Sequence, residues 1–230
     1  MSENAKHPVE IVDLVPLTEQ SPYMKPLRLH YKQNGKQLTW DCIKTHDSVA
    51  ILIFNSSRNV LVFVRQFRPP VMLSALFNSM DSNMTNIKEK FEENAASMNP
   101  NLGFTLELCA GIIDKEGLTP TEIAREEVIE ETGYSPPLEA LHLITTCRTG
   151  VGSSGSLQYI YYCEVNDSMR VSQGGGIDDE SIDVVEFSIE ESRKQIYQCD
   201  KSAGIGRTPG FRLAISWFIY EKLPSLQLNK

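Results

Sequence analysis

The sequence predicts an α/β protein in which a mixed β-sheet is packed between helices. Short runs rich in Val, Ile, Leu and aromatic residues recur along the chain, as is typical of strands. Two segments, 119–133 and about 209–222, have the caps or apolar spacing of helices and lie among these runs. Strands that are separated by helices in this way favour helical layers on a mixed sheet.

Composition excludes several classes of protein. The chain has 230 residues, of which 41% are hydrophobic and 23% are charged, so it is expected to fold around a core. Its net charge of −8 argues against general binding to nucleic acid or anionic membranes, because both need basic patches. No apolar run approaches the roughly 18 residues of a membrane span, and the N-terminus lacks the apolar core of a signal peptide.

The cysteines favour a reducing, cytoplasmic setting. They are odd in number, scattered, and form no CxxC pair or Cys/His cluster, so neither a disulfide framework nor a zinc site is expected. They are Cys42, Cys109, Cys147, Cys163 and Cys199.

The N-terminal region predicts a β-hairpin over Leu27–Ile43, because apolar and polar residues roughly alternate on both sides of Asn34-Gly35. Further stretches with strand character are residues 48–55, 59–67, 104–111, 156–165 and 181–189. Residues 72–103 are polar and rich in Asn and Met, with weak helical character at 87–94, and are interpreted as a surface insertion. We find no internal repeat and no linker between independent domains.

The stretch TPTEIAREEVIEETGY, residues 119–134, predicts a helix with a well-defined register. Thr119 can cap it, Glu122 can complete a capping box, and Gly133 ends it. At about 100° per residue, Ile123, Ala124 and Val128 define the inward face, with Glu127 and Glu131 between them and Glu130 at the margin. Glu126 and Arg125 point elsewhere.

Two interpretations of Glu127 and Glu131 are open from the helix alone. Adjacent buried carboxylates repel each other and are costly to desolvate, and a divalent cation such as Mg²⁺ or Mn²⁺ relieves both costs. Alternatively, the two side chains lie on a wet edge and pair with lysines.

The longer stretch ELCAGIIDKEGLTPTEIAREEVIEETGY, residues 107–134, resembles the Nudix box, G-x5-E-x7-R-E-U-x-E-E-x-G-U, where U is aliphatic. LVFVRQFRPPV, residues 61–71, resembles the strand before the box in nucleoside diphosphate sugar hydrolases. Most of the chain is similar to animal members of that group that act on UDP-glucose. The resemblance implies a Nudix-type α/β/α sandwich (46–230) with an insertion at about 72–103. It also implies an N-terminal hairpin extension (1–45) that serves dimerisation and the base pocket.

The box departs from its pattern in the loop before the helix. Counted back from Gly133, the pattern's Arg falls on Glu126 and its first Glu on Leu118, with one extra residue in the loop 114–117. In the family these two residues support the loop and pair with each other. Both are absent together, so we expect altered loop packing and an intact metal site.

The resemblance implies Mg²⁺-dependent attack of water on a pyrophosphate, with Mn²⁺ as a possible substitute. Its metal ligands would be Glu127, Glu131, Glu130 and the backbone carbonyl of Ala110, with Glu130 and Glu131 also catalytic candidates. The late acidic loop GGGIDDESIDV matches a family loop that supplies a base or an extra metal ligand. For this role we favour Glu180 over Asp179 and Asp178, and the glycines would let the loop close over substrate. An ordinary solvated turn is the alternative.

Substrate would be held by Arg68, which matches a phosphate-contacting Arg of the family, and by Arg65. Trp40 would bind the nucleobase, because a Trp at the corresponding place stacks on the base in related ADP-sugar hydrolases. A surface cation at Arg65 and a hydrophobic plug at Trp40 are the alternatives. The Gly/Ser-rich residues 148–156 are interpreted as a turn, because they have no Walker pattern.

The resemblance therefore implies a homodimeric hydrolase that converts UDP-glucose to UMP and glucose 1-phosphate. An ADP-ribose or ADP-sugar pyrophosphatase is one alternative. The other is a catalytically silent Nudix-fold binding module, which the missing loop pair favours and the Glu127/Glu131 pair opposes.

Overall fold

The computed structural model describes residues 9–78, 87–94, 99–199 and 205–228. The strands are β1 (Met24–Gln33), β2 (Lys36–Thr45), β3 (Ser48–Asn55), β4 (Val60–Phe67), β5 (Phe104–Glu107), β6 (Cys109–Ile112), β7 (Leu141–Thr149), β8 (Ser156–Val165), β9 (Ile182–Ser188) and β10 (Gly206–Arg207). The α-helices are α1 (Pro69–Asn78), α2 (Ile87–Asn94), α3 (Pro120–Thr132), α4 (Ile189–Gln195), α5 (Pro209–Trp217) and α6 (Leu223–Leu228), and a π-helical segment (Phe218–Lys222) joins the last two.

Strands β1 and β2 form the predicted hairpin as a separate two-stranded antiparallel sheet. Both turn residues have positive φ, 52° at Asn34 and 75° at Gly35, as a type I′ turn requires. The hairpin meets the rest of the chain near its C-terminal end, where the Ile43 amide donates to the Ser153 carbonyl at 2.9 Å.

The main sheet is mixed and has the strand order β10-β5-β4-β3-β8-β7. β3 runs parallel to β8 and antiparallel to β4, and its first half also pairs with β6. β4 additionally pairs with β9 along seven residues. Since β3 and β4 each bind more than two neighbours, the sheet curls, and β6 leaves it at the point where the chain turns towards α3.

Each face of this sheet carries its own hydrophobic core. Leu52 of β3 packs in the cluster that contains Phe211 of α5, whereas the adjacent Ile51 packs in the cluster that contains Ile123 and Val128 of α3. Successive strand residues point to opposite faces, so a continuously apolar β3 is buried between two helical layers. The predicted α/β/α sandwich with a mixed sheet and an N-terminal hairpin is confirmed.

Several elements were not predicted. Helix α1 begins at Pro69-Pro70, where proline suits the first turn, and it buries Met72 and Leu76. By contrast, the helical character predicted at 87–94 is confirmed by α2, in which Phe91 is 3% exposed. Residues 79–86 and 95–98 of the proposed insertion lie outside the described part of the chain.

Strand β7 was missed because a bulge between Leu143 and Thr145 breaks its alternation. Helix α4 has only seven residues and is marked by a capping box at Ser188 and Glu191. Within the described ranges, no helix is long and apolar enough to cross a membrane.

Candidate active site

Helix α3 has the register that its sequence predicts. The Thr119 hydroxyl accepts from the Glu122 amide at 3.3 Å, and the Glu122 carboxylate accepts from the Thr119 amide at 2.8 Å, which forms the capping box. At the other end, Gly133 has φ 75° and donates to the Ile129 carbonyl. These local bonds determine which glutamates face the sheet.

Glu131 is the most deeply placed acid of the helix. It is 3% exposed, and its Oε2 accepts a 3.0 Å hydrogen bond from the backbone amide of Ala110 in β6. Burial raises the pKa of Glu131 to about 8, although the Ala110 amide and the Cys109 thiol favour the ionised form.

Glu127 lies one helical turn earlier, against strand β6. A Cβ at Gly111 would collide with the Glu127 carboxylate, so a larger residue at this position would force that side chain to move. Burial and the nearby charge of Glu130 raise the pKa of Glu127 to about 7. Glu127 and Glu131 therefore form a pair of partly desolvated carboxylates, and within the described ranges neither forms an ion pair with a lysine or arginine.

This donor set fits a divalent cation. Oxygen ligands from carboxylates suit Mg²⁺, Mn²⁺ or Ca²⁺, and a cation between them would offset both burial and repulsion. Among the described residues, no group of three or more His, Cys, Asp and Glu side chains is arranged as a complete metal site. The structure thus places Glu127 and Glu131 together. The Ala110 amide contacts Glu131, while the metal roles of Glu130 and the Ala110 carbonyl stay predictions.

Lys115, which the sequence did not single out, explains the irregular part of the box. Its ammonium lies 2.6 Å from Oε2 of Glu126 and 3.6 Å from Oε1 of Glu130. The family pattern has an acidic residue in the loop and an Arg on the helix. Here the positions are exchanged, because the loop supplies the basic residue Lys115 and the helix supplies the acidic residue Glu126. Arg125 instead donates to the Pro136 carbonyl and the Ser135 hydroxyl.

The triple-glycine loop docks on the C-terminal end of α3. The Gly175 amide donates to the Glu131 carbonyl at 2.8 Å, and the Gly176 amide donates to the Glu130 carbonyl at 3.1 Å. Residues 174, 175 and 176 all have positive φ, at 71°, 112° and 89°. The glycines thus serve as a cap for two orphan carbonyls of the helix, a use that the sequence did not predict.

Docking of this loop brings Glu180 towards the carboxylate pair. The charge of Glu180 contributes to the raised pKa of both Glu127 and Arg68. Its own carboxylate accepts a 3.1 Å hydrogen bond from the Ile177 amide and is exposed to solvent. Asp178 and Asp179 share that exposure, so burial does not distinguish the three loop acids.

Arg68 is held by an acid that sequence patterns missed. Nε and Nη2 of Arg68 each donate to Glu107 at 2.9 Å, and Nη1 makes no hydrogen bond to the residues that the structure describes. Burial alone would raise the pKa of Glu107, but the hydrogen bonds and charge of Arg68 outweigh it, so the pKa is lowered. The sequence contained a signal for this pair that was not used. Glu107, the first residue of the stretch 107–134, is an acidic residue at the end of a buried strand.

The guanidinium of Arg65 lies against protein. Its Cζ is 4.9 Å from the Phe104 ring centroid, and its Nε is 4.0 Å from a carboxylate oxygen of Asp183. That Nε is a buried donor without a hydrogen-bond partner in the portion of the chain that the structure describes. A phosphate contact by Arg65 stays a prediction.

Trp40 lies at a separate cavity of about 350 Å³. The cavity is lined by hairpin residues and by the turn 151–155, and the Trp40 indole donates to the Gly152 carbonyl at 3.0 Å. The amides of Ser153, Ser154 and Gly155 are all directed at the Gly150 carbonyl, which confirms the interpretation of this segment as a turn.

Comparison with known proteins gives a consistent group of relatives. Models of protein families produce no match. The uridine diphosphate glucose pyrophosphatase of Bos taurus is 40% identical over 212 residues, which are 91% of this chain and 94% of that protein. The corresponding protein of Mus musculus is 39% identical over 94% of this chain and 96% of its own length. A GDP-mannose pyrophosphatase of Cronobacter sakazakii (strain ATCC BAA-894) is 28% identical over 66% of this chain and 65% of its own.

The Bos taurus and Mus musculus relatives match more than nine tenths of this chain. Their names describe pyrophosphatases, which are hydrolases of phosphorus anhydrides, and such Nudix enzymes imply a divalent metal. This chain belongs to the Nudix hydrolases, in the group of nucleoside diphosphate sugar pyrophosphatases.

Proposed function

We propose that this chain hydrolyses the pyrophosphate bond of UDP-glucose to UMP and glucose 1-phosphate, with Mg²⁺ as its cofactor. The observation that carries the hydrolytic proposal is the carboxylate pair Glu127 and Glu131, which packs against Ala110 and Gly111 of strand β6 with Arg68 nearby. The choice of substrate is supported by the two relatives at 40% and 39% identity.

The proposed metal ligands are Glu127 and Glu131, with Glu130 and the Ala110 carbonyl completing the protein's share. Mn²⁺ would be accepted as well, because the donors are all oxygens. When bound, the cation would neutralise charge on the diphosphate and lower the pKa of a water molecule. The Ala110 amide donates to Oε2 of Glu131 and so orients this carboxylate for the proposed metal binding.

The remaining residues would bind the substrate and accept the proton. Glu107 holds the Arg68 fork in place, so that Nη1 of Arg68 can donate to a phosphate oxygen without reorganisation. We assign the general base to Glu180, which belongs to the loop whose glycines dock on α3. Arg65 is proposed as a second contact to phosphate, and Trp40 as a contact to the nucleobase. Since the cavity at Trp40 lies at the hairpin, that contact fits a site shared between two subunits.

We further propose a homodimer that joins two chains through their N-terminal extensions (1–45), whose hairpin is formed by β1 and β2. The exposed apolar side chains of this hairpin support that arrangement. The five free cysteines, none of them in a disulfide, support a reducing, cytoplasmic compartment.

The test is hydrolysis of UDP-glucose, ADP-ribose and GDP-mannose with Mg²⁺, followed by quantification of both products. GDP-mannose is the second candidate because of the relative at 28% identity. We expect the highest kcat/KM for UDP-glucose, with UMP and glucose 1-phosphate formed in equal amounts. Absence of turnover on every substrate would support a silent binding module and overturn the proposal.

The matched variants are Glu131→Gln and Glu190→Gln. We expect Glu131→Gln to lower kcat by about 10³-fold or more, because it removes a metal-binding charge from the reacting centre. Glu190 lies on α4 in an exposed pair with Lys194, so its variant should retain wild-type turnover. Glu126→Gln should cost much less than Glu131→Gln, and an equal loss would show that the roles of these acids are misassigned. Thermal unfolding of each variant checks that the fold is intact.

A further inference from the structure

Lys115 lies among the acids of the proposed metal site. It is in the loop between β6 and α3, and it reaches across to Glu126 and Glu130 on the helix. The Glu126 carboxylate is the main cause of its raised pKa, so the ammonium stays charged. The side chain of Glu130 is only 24% exposed, and the Lys115 contact with it is therefore partly shielded from water.

The field of this ammonium extends to Glu127. Burial and repulsion from Glu130 raise the pKa of Glu127, and the charge of Lys115 acts in the opposite direction. At the other end of the carboxylate pair, the charge of Arg68 lowers the pKa of Glu131 against the effect of burial. Among the described residues, Lys115 is thus the cation that offsets the Glu127–Glu130 side of the site.

We propose that Lys115 is a tethered counter-ion that competes with the divalent cation for the carboxylates of α3. The inference rests on the metal site of the proposed function. An ammonium and a metal ion both favour the same ionised oxygens, and they repel each other at short distance. For the metal to bind Glu130, Lys115 must break its contact with Glu130, while the ion pair between Lys115 and Glu126 is retained. Lys115 therefore weakens metal binding, and this effect of Lys115 declines as the ionic strength rises.

The probe is Mn²⁺ alone, without substrate. Its affinity is measured by calorimetry and by the loss of the free Mn²⁺ signal in electron paramagnetic resonance. Lys115→Met removes the charge and retains the length of the side chain, whereas Lys115→Arg retains the charge. Lys194→Met is the matched control, because Lys194 forms a similar ion pair with Glu190 on α4.

We expect Lys115→Met to lower the Kd for Mn²⁺ by about threefold to tenfold, in line with one partly exposed charge acting on a divalent ion. Lys115→Arg and Lys194→Met should bind as the wild type does. The difference between wild type and Lys115→Met should shrink at 0.5–1 M salt, roughly the range in which screening becomes short-ranged.

A loop-pinning role alone predicts another result. Lys115→Met would then unfold at a lower temperature in EDTA and would bind Mn²⁺ equally well or more weakly, and that outcome overturns the proposal. The wild type is also compared with Glu131→Gln. If wild type binds no Mn²⁺, or if Glu131→Gln binds it equally well, the metal site fails and the inference fails with it. If only the Lys115→Met effect is missing, the metal site stands and the role of Lys115 is wrong.

Discussion

At the scale of single residues, position on the helix separates five glutamates that look alike in sequence. Glu122 caps the helix, Glu126 pairs with Lys115, and Glu131 is buried against strand β6. A carboxylate in the last environment has lost most of its hydration, and a single backbone amide replaces only part of it. Such a group is a poor contributor to stability and a good ligand for a cation.

The raised pKa values of Glu127 and Glu131 predict how the metal-free protein responds to pH. The folded state retains protons that the unfolded state releases above the usual value of about 4.5. Stability should therefore fall as the pH rises from about 4.5 to about 8. We expect the unfolding temperature in EDTA to be lower at pH 8.5 than at pH 5.5.

The control for this prediction is the double variant Glu127→Gln/Glu131→Gln, in which neither side chain titrates. Its unfolding temperature should change less between the two pH values than that of the wild type. Equal pH dependence in the two proteins would show that other groups cause the decline.

At the scale of elements, the site depends on two segments that meet at the end of α3. The helix ends at Gly133, and the glycine loop then returns to cover the carbonyls of Glu130 and Glu131. The same loop continues through Glu180 into β9. The backbone that carries the proposed metal ligands is thereby bonded directly to the backbone that carries the proposed base.

This junction predicts a large effect for Gly174→Ala. Residue 174 has φ 71°, and a Cβ there would collide with the Glu131 carbonyl. The left-handed conformation alone costs a non-glycine residue about 1–2 kcal/mol, and the collision adds to that cost. We expect a lower free energy of unfolding in urea, together with reduced turnover because Glu180 is displaced.

Gly152→Ala is the matched control for that substitution. A Cβ at position 152 meets nothing within 4 Å, and the backbone there does not have positive φ. It should change stability by less than about 0.5 kcal/mol, as surface substitutions usually do. If Gly174→Ala proved equally mild, the loop would be free to move away from the helix, and its proposed role in positioning Glu180 would be wrong.

At the scale of the whole molecule, the hairpin presents an apolar face that its own chain covers only in part. Leu29 and Trp40 are directly paired across β1 and β2, and they are 56% and 53% exposed. The opposite face carries the exposed Arg28–Asp41 ion pair. An amphipathic two-stranded sheet of this kind is marginally stable alone and favours an additional layer.

We therefore predict that Leu29→Lys disrupts the homodimer. A charge on this face would have to be buried without a partner in the interface. Sedimentation equilibrium should show a dimer for the wild type and a monomer for the variant at micromolar concentration. Leu213→Lys, at an exposed position of α5, should remain dimeric. If the wild type is a monomer, the proposed homodimer and the proposed contribution of Trp40 to a site shared between two subunits are both wrong.

Prediction from the sequence succeeded where the decisive contacts are local. The caps of α3 and the turn at Asn34-Gly35 depend on residues within about four positions of each other, and both were predicted correctly. Helix α1 (Pro69–Asn78) was missed because its residues from 72 onwards were assigned to a polar insertion. Strand β7 was missed because a bulge interrupts its pattern.

The partners of the site residues could not be predicted in the same way. Arg68 and Glu107 are 39 residues apart, and the Gly175 amide bonds to a carbonyl 44 positions earlier in the chain. These pairs meet only because β4 lies next to β5 and because the chain returns past the end of α3. Local sequence propensities do not predict contacts between residues that are so far apart in the chain.

The sequence by itself determined which glutamates of α3 face the core, because capping and helical period depend only on neighbouring residues. It also determined the family, because the box is a local pattern. Only the tertiary structure decided what surrounds those glutamates: the β6 amide, the Lys115 ammonium, the glycine cap, and Arg68 held by Glu107. The physical reason is that hydration, charge and burial at a site are set by strands and loops that are distant in the chain and adjacent in the fold.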